Sequence, residues 1–142
     1  MNQPLTPKKR KYRKAHVGNI RGLATAGSTL AAGDYGLKVL EGCDLKLNQI
    51  EAARVAARKA TKRYGQIIFR IQADLPKSKK PLEVRMGSGK GPVDHYAARV
   101  KPGRIIFEIC GVSLETARDA CRRAAHKIPV KTAFISRVPV VE

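Results

Sequence analysis

Apolar positions recur along the chain with two periods. In "LNQIEAARVAARKATKRYG" (47–65), Ile50, Ala53, Ala57, Ala60 and Tyr64 fall within about 80° of one another at 100° per residue, which predicts one buried helix face. Asn48 suits the N-cap, Glu51 three residues on suits a capping box, and Gly65 suits the C′ position. Leu114, Ala117, Cys121, Ala124, Ala125 and Ile128 predict a second helix, capped by Ser113 and stopped by Pro129. Short runs rich in β-branched and aromatic residues predict strands: "DYGLKVLE" (34–41), "QIIFRIQ" (66–72), "LEVRM" (82–86), "VDHYAARV" (93–100), "RIIFEIC" (104–110) and "VKTAFISRV" (130–138). Pro102 and Gly103 suit the two central positions of a type II turn, so 93–100 and 104–110 are expected to form a hairpin. "ADLPKSKKP" (73–81) reads as a basic loop. The order β-α-β-β-β-β-α-β, with hairpin-length connections, predicts an α+β fold. It is a mostly antiparallel sheet of short strands with two packed helices.

The polar positions change the picture through their sign. Residues 1–33 carry Lys8, Lys9, Arg10, Lys11, Arg13, Lys14 and Arg21 and no acid; Asp34 is the first. Glycines at 18, 22, 27 and 33 interrupt this segment, and no period runs through it. It is expected to be an extended basic arm that orders on a polyanion, preceding a single domain over 34–142. On the first helix Arg54, Arg58 and Lys62 step along one face, with Lys59 and Arg63 beside them and no acid after Glu51. A soluble helix ordinarily mixes signs on its wet face. In all, 29 Lys and Arg stand against 11 Asp and Glu in 142 residues, a net charge of +18. A surplus of that size repels itself in a compact state, so the expected partner is a polyanion.

Several classes fall away. No apolar run is long enough to span a bilayer, and the basic N-terminus lacks the apolar segment of a secretory signal. Cys43, Cys110 and Cys121 form no CxxC and no even set, so neither a disulfide framework nor a zinc site is expected; Cys110 and Cys121 read as buried thiols in a reducing compartment. His16, His95 and His126 have no metal-ligand spacing, and the carboxylates are scattered, so no metal, cofactor or catalytic group is expected.

The stretch "VRMGSGKGPVDHY" (84–96) tests the remaining nucleotide reading. A P-loop needs GxxxxGK followed by Ser or Thr and then a helix. Here Gly91 and Pro92 follow Lys90, and Gly87, Gly89 and Gly91 alternate, which fits no dinucleotide fingerprint either. What remains is a bare-backbone loop with Arg85 and Lys90, close to Lys77, Lys79 and Lys80. Together they make a protruding cationic finger at about 76–92. No RNP1 motif and no Trp occur, so the chemistry on offer is backbone and shape recognition of a nucleic acid.

Two stretches, "KRYGQIIFR" (62–70) and "PLEVRMGSGKG" (81–91), resemble the signatures of the bacterial and organellar large-ribosomal-subunit protein L-sixteen family. "KYRKAHVGNIRG", "GDYGLK", "QIEAAR", "KPGRIIFEI" and "AAHKIPVKTAF" extend the resemblance, in order, over nearly the whole chain. The sequence departs at Gln66, where Lys is usual, at Ile68, where Trp is usual, and at His95 and Tyr96. The resemblance implies a structural constituent of the large subunit without catalysis of its own. It would be neither a membrane protein nor a homo-oligomer, and would reside in cytoplasmic ribosomes or in those of an organelle's matrix or stroma. It also implies rRNA contacts by the arm and by Arg54, Arg58, Lys59, Lys62 and Arg63. The loop of Arg85, Met86, Gly87, Ser88, Gly89, Lys90 and Gly91 would approach the peptidyl-transferase centre and the A- and P-site tRNAs, beside neighbouring ribosomal proteins. The competing readings are a stand-alone RNA-binding or RNA-chaperone module and a nucleotide-dependent enzyme.

Overall fold

The computed structural model describes residue 7 and residues 10–137. Nine elements follow one another: β1 (Tyr35–Val39), β2 (Cys43–Lys46), α1 (Leu47–Ala60), β3 (Gln66–Phe69), β4 (Leu75–Ser78), β5 (Val93–Val100), β6 (Ile105–Cys110), α2 (Leu114–Ala125) and β7 (Thr132–Ser136). They form two antiparallel sheets, β3-β6-β1-β7 and β2-β5-β4. The α+β class with antiparallel short strands and two helices is thus what the sequence led one to expect.

The core lies between the helix pair and both sheets: α2 packs on β1 and β7 of the larger sheet, and α1 on β2 and β5 of the smaller, whose Leu45, Ala98 and Val100 belong to the same cluster. β6 is its centre, with Ile105, Ile106, Phe107 and Ile109 fully buried. α1 and α2 meet through small residues, Ala53 and Ala57 against Ala120, Cys121 and Ala124, all buried in one cluster. Small side chains let two helices approach closely, and the surrounding β-branched and aromatic residues fill the space above the sheet.

The details depart from the sequence reading at five places. Lys46, not Asn48, occupies the N-cap of α1, and its N–H donates to Gln49 Oε1 at 2.9 Å, so Gln49 takes the part expected of Glu51. Glu51 instead turns to Arg54. α1 stops at Ala60, four residues before Tyr64, which is 74% exposed and outside the core face. The stretch 82–86 is no strand; β4 forms inside the expected basic loop, because Leu75–Ser78 pairs with β5. The sequence also hides β2 (Cys43–Lys46), too short to show a period, which pairs with the other edge of β5.

The turn at Lys101–Arg104 exists, with Gly103 at φ +91° and Arg104 N–H donating to Lys101 O at 3.1 Å. Its two flanking strands do not pair with each other: β5 belongs to the smaller sheet and β6 to the larger. The turn is therefore a crossing between sheets, not a hairpin. α2 is as expected at its start, where Thr116 N–H reaches Ser113 Oγ at 3.4 Å, and Ile128 closes its buried face.

Residues 10–34 contain no helix or strand, yet they are tied to the domain. Arg10 pairs with Asp74 at 3.2 Å, Ala24 N–H donates to Pro102 O at 2.9 Å, and Ile105 N–H donates to Gly27 O at 2.9 Å.

Candidate nucleic-acid interface

The end of α1 builds one cationic surface. Thr61 N–H and Oγ1 close the last turn onto Ala57 O and Arg58 O. The chain then turns back through Lys62 (φ +50°) and Arg63 (φ +68°) and reaches Gly65 (φ +73°). A Cβ at Gly65 would lie 2.5 Å from Cys110 O, so glycine is required there by both conformation and space. The turn folds Lys62 and Arg63 back beside Arg54, Arg58 and Lys59, and the five side chains line one shallow groove around the exposed Val55. Arg54 is matched by Glu51 within the helix. Among the described residues no carboxylate forms an ion pair with Arg58, Lys59, Lys62 or Arg63, all of them exposed.

The glycine-rich finger is the second surface. Lys79 N–H donates to Pro92 O at 3.1 Å where the finger leaves the β4–β5 ladder. At Gly91 a Cβ would lie 2.6 Å from Lys79 O, so the base of the finger closes only around glycine. Residues 81–90 are all exposed, including Leu82 at 87% and Met86 at 94%. Lys80 Nζ donates to Gly87 O and ties the loop to its own root. Gly87 and Gly89 adopt φ +115° and +82°, with Ser88 between them at +55°.

The four non-glycine residues with left-handed φ among those described are Lys62, Arg63, Glu83 and Ser88. All four fall in these two surfaces. Such a conformation costs roughly 1–2 kcal/mol per residue, and strain of this kind collects where a site demands it.

The arm joins the finger but not the helix end. Lys14 Nζ donates to Lys90 O at 2.6 Å, and Lys90 Nζ donates back to Ala15 O. Among the described residues neither lysine pairs with an acid. Lys11, Arg13 and Arg21 are exposed, with the Lys11 ammonium 5.5 Å from the centre of the Tyr12 ring. Lys8 and Lys9 lie outside the described residues. Lys77 sits in β4 rather than on the loop, where it shares Asp44 with Arg99, which reaches the same carboxylate at 3.0 Å. Burial would raise the Asp44 pKa, but the hydrogen bonds and charges of Arg99 and Lys77 hold it below the ordinary value.

Sequence reasoning missed Glu108. It is fully buried in β6, where its carboxylate accepts the N–H groups of Ala31, Ala32 (2.8 Å) and Gly33 (2.7 Å) and faces Arg70 at 3.2 Å. Burial alone would push its pKa up. The three backbone donors and Arg70 outweigh it and bring the carboxyl below its usual value. A Cβ at Gly33 would meet Glu108 Cβ at 2.6 Å. Glu108 thus fastens the last residues of the basic segment into the core. The available signal was the lone acid in the apolar run "RIIFEIC".

The thiols offer no nucleophile: burial pushes Cys43 up to about 11, helped by Asp44 and Glu41, and Cys121 up to about 12. Cys121 is buried as expected, whereas Cys110 is only half-buried and donates to Ala32 O at 3.4 Å. No group of His, Cys, Asp and Glu among the described residues is arranged to hold a metal ion, and no helix is long and apolar enough to cross a membrane.

Fold and surface together define a class: a small α+β protein carrying patches of cations that its own acids do not match. A sequence model of the ribosomal protein L16p/L10e family matches residues 7–135. The large ribosomal subunit protein uL16 of Rhodopseudomonas palustris (strain BisB18) is 53% identical over 134 residues, covering 94% of this chain and 98% of that protein. The protein of the same name from Gluconacetobacter diazotrophicus is 55% identical, over 94% and 97%, and that of Nitrobacter hamburgensis 51%, over 94% and 98%. The chain belongs to the ribosomal protein L16p/L10e family.

Proposed function

We propose that this protein is a structural constituent of the large ribosomal subunit that holds large-subunit rRNA by its phosphates. Family membership gives the ribosome and, with it, rRNA and ribosomal proteins as partners. The observation that carries the local assignment is the groove at the end of α1, where four exposed cations have no acidic partner among the described residues. Unmatched guanidinium and ammonium groups fixed on a strained turn are placed for successive phosphates. The arm, through Arg10, Lys11, Arg13, Lys14 and Arg21, with Lys8 and Lys9 beyond the described residues, supplies a second run of phosphate contacts.

The finger has a different role in this proposal. Its root is fixed by the β4–β5 ladder and its tip is bare backbone, with Arg85, Met86 and Lys90 exposed. It reaches out from the rRNA-bound body toward tRNA in the A and P sites. The chemistry of the reaction is left to RNA.

Chemical footprinting of large subunits with and without this protein tests the body of the proposal. Protection of backbone sites that disappears when Arg58, Lys62 and Arg63 become alanine is expected; unchanged protection refutes the groove. For the finger, subunits carrying a deletion of residues 87–91 are expected to contain the protein at normal occupancy but to bind A-site tRNA poorly. Normal tRNA placement by those subunits would reduce the finger to a mobile tip. A protein that washes off subunits at moderate salt would favour a module acting off the ribosome.

A further inference from the structure

A second concavity lies on another part of the molecule, between the two sheets. It is an open cleft of about 690 Å3, within the roughly 300–1,000 Å3 range of pockets that take compact organic ligands. In a lining that is otherwise largely polar, Phe69 and Ile71 give it apolar surface, and Phe69 contacts Phe107 at 5.4 Å between ring centres. Gln72 offers an exposed amide at the rim. Lys101 and Arg104 come from the turn that crosses between sheets.

The charges around this cleft are not equivalent. Arg70 faces Glu108 and Arg99 faces Asp44, so both are answered, and the one carboxylate in the lining, Asp74, is matched by Arg10 at 3.2 Å. Arg104 is held rigidly by neutral acceptors instead, with Nη1 donating to Ala26 O at 2.8 Å and Nη2 to Arg70 O at 3.1 Å. Its positive charge is therefore fixed in orientation, and it pairs with no acid among the described residues. Lys101 is exposed beside it and pairs with no acid among the described residues. Ala24–Ala26 of the basic segment form one wall, pinned by the Ala24–Pro102 and Ile105–Gly27 hydrogen bonds.

We propose that this cleft receives one unpaired nucleotide of the bound RNA, its base over Phe69 and at the Gln72 amide, its phosphate at Lys101 and Arg104. An aromatic ring, an amide, a fixed guanidinium and an exposed ammonium lining one cleft match the chemistry by which splayed-out bases are recognised: stacking, edge hydrogen bonds and phosphate neutralisation. Duplex RNA presents a convex, base-paired surface and cannot enter. Because one wall belongs to the basic segment, occupancy also fixes that segment on the domain. The inference rests on the RNA-binding reading above.

The test compares the full-length protein with Gln72→Ala/Lys101→Ala, two exposed positions whose side chains hold nothing else in place. Large-subunit rRNA is probed with reagents that modify the Watson–Crick edges of unpaired bases. The wild-type protein is expected to shield one unpaired base that the double variant leaves reactive. Affinity in the variant is expected to fall about tenfold, the salt slope to drop by about 0.7–0.9, and the melting temperature to stay put. Ultraviolet crosslinking is expected to join that nucleotide to Phe69 or its neighbours. Free nucleoside monophosphates form the second arm and are expected not to compete. If rRNA binds but no base changes reactivity between the two proteins, the cleft assignment falls and the RNA-binding reading stands. If free nucleotides bind the cleft and rRNA does not, the ligand class is wrong. If the wild-type protein binds no rRNA, both fall together.

Discussion

α1 and α2 are similar in length and pack against each other, yet they treat their basic residues in opposite ways. On α2, Arg122 and Arg123 both reach Asp119, at 2.7 and 2.8 Å, and Arg118 lies 5.9 Å from the Phe134 ring centre. On α1 and the turn that follows it, Arg54 meets Glu51, whereas among the described residues Arg58, Lys59, Lys62 and Arg63 meet no acid. α2 also ends in a right-handed cap at His126, whereas α1 ends in two left-handed basic residues. Exposed ion pairs contribute little stability, so the pairing on α2 is better read as quieting a surface than as holding the fold. Leaving α1 unquieted costs self-repulsion and backbone strain. In the proposed reading, a polyanion in the groove offsets that cost.

The largest effect is expected from reversing the α1 charges. Changing Arg58, Lys59, Lys62 and Arg63 to glutamate should lower affinity for large-subunit rRNA by about 100-fold or more at near-physiological salt, with the far-ultraviolet spectrum unchanged. Affinity within tenfold of wild type would break the comparison outright, because the unmatched helix would then matter no more than the matched one.

Neutralisation sharpens the same contrast. Alanine at Arg58, Lys62 and Arg63 should flatten the slope of log affinity against log salt by about 2–3, since each lost phosphate contact contributes about 0.7–0.9. Alanine at Arg122 and Arg123 should change it by less than one. Arg54→Ala alone should matter less than Arg58→Ala, because Glu51 already answers Arg54. Titrations at four or five salt concentrations decide between these outcomes.

How far this contrast could be read from sequence depends on the range of the interaction. Along α1 the absence of acids after Glu51 is local information, so the cationic face was legible. Its geometry was not: the period at 100° per residue carries Lys62 along the helix, but the helix stops at Ala60 and the left-handed turn returns Lys62 to the groove. The β4 strand was hidden for a related reason. "LPKS" has no alternation and contains a proline, and it becomes a strand only because β5 offers a free edge with Pro76 opposite Tyr96. The turn at Pro102–Gly103 was legible because its conformation is fixed by two adjacent residues. The sheets it connects were not, because pairing partners are chosen across the whole fold. Glu108 marks the limit of local reasoning. Its four partners lie about 40 to 80 residues away, and an acid in an apolar strand says only that something must satisfy it.

Glu108 also separates folding from binding, which the helix comparison needs. Glu108→Ala removes a buried acceptor from three backbone donors and Arg70, and should destabilise the protein by about 3–5 kcal/mol in denaturant titrations. Because its folded-state pKa is depressed, the wild-type contribution is complete above the unfolded carboxylate pKa and disappears as pH falls through the lower folded value. A melting temperature that drops from neutral pH toward acid in wild type, with a flatter profile in Glu108→Gln, is the expected pattern. An α1 variant with wild-type melting behaviour and poor RNA binding then reports on the groove alone.

The smallest effect comes from unpairing α2. Hydrogen bonds from Arg122 and Arg123 hold the Asp119 carboxyl below its usual pKa, so Asp119→Asn releases two arginines without adding a cation. If the two helices differ only in whether their cations are matched, the variant should gain RNA affinity about two- to threefold and steepen the salt slope by less than one. If α2 faces away from RNA, nothing should change. A gain would mean that internal pairing alone keeps the second helix silent. No gain, beside a large loss from the α1 variants, would mean that position relative to the RNA decides, and that Asp119 serves solubility. Neither outcome touches the α1 assignment, which stands or falls on the losses from the α1 variants themselves.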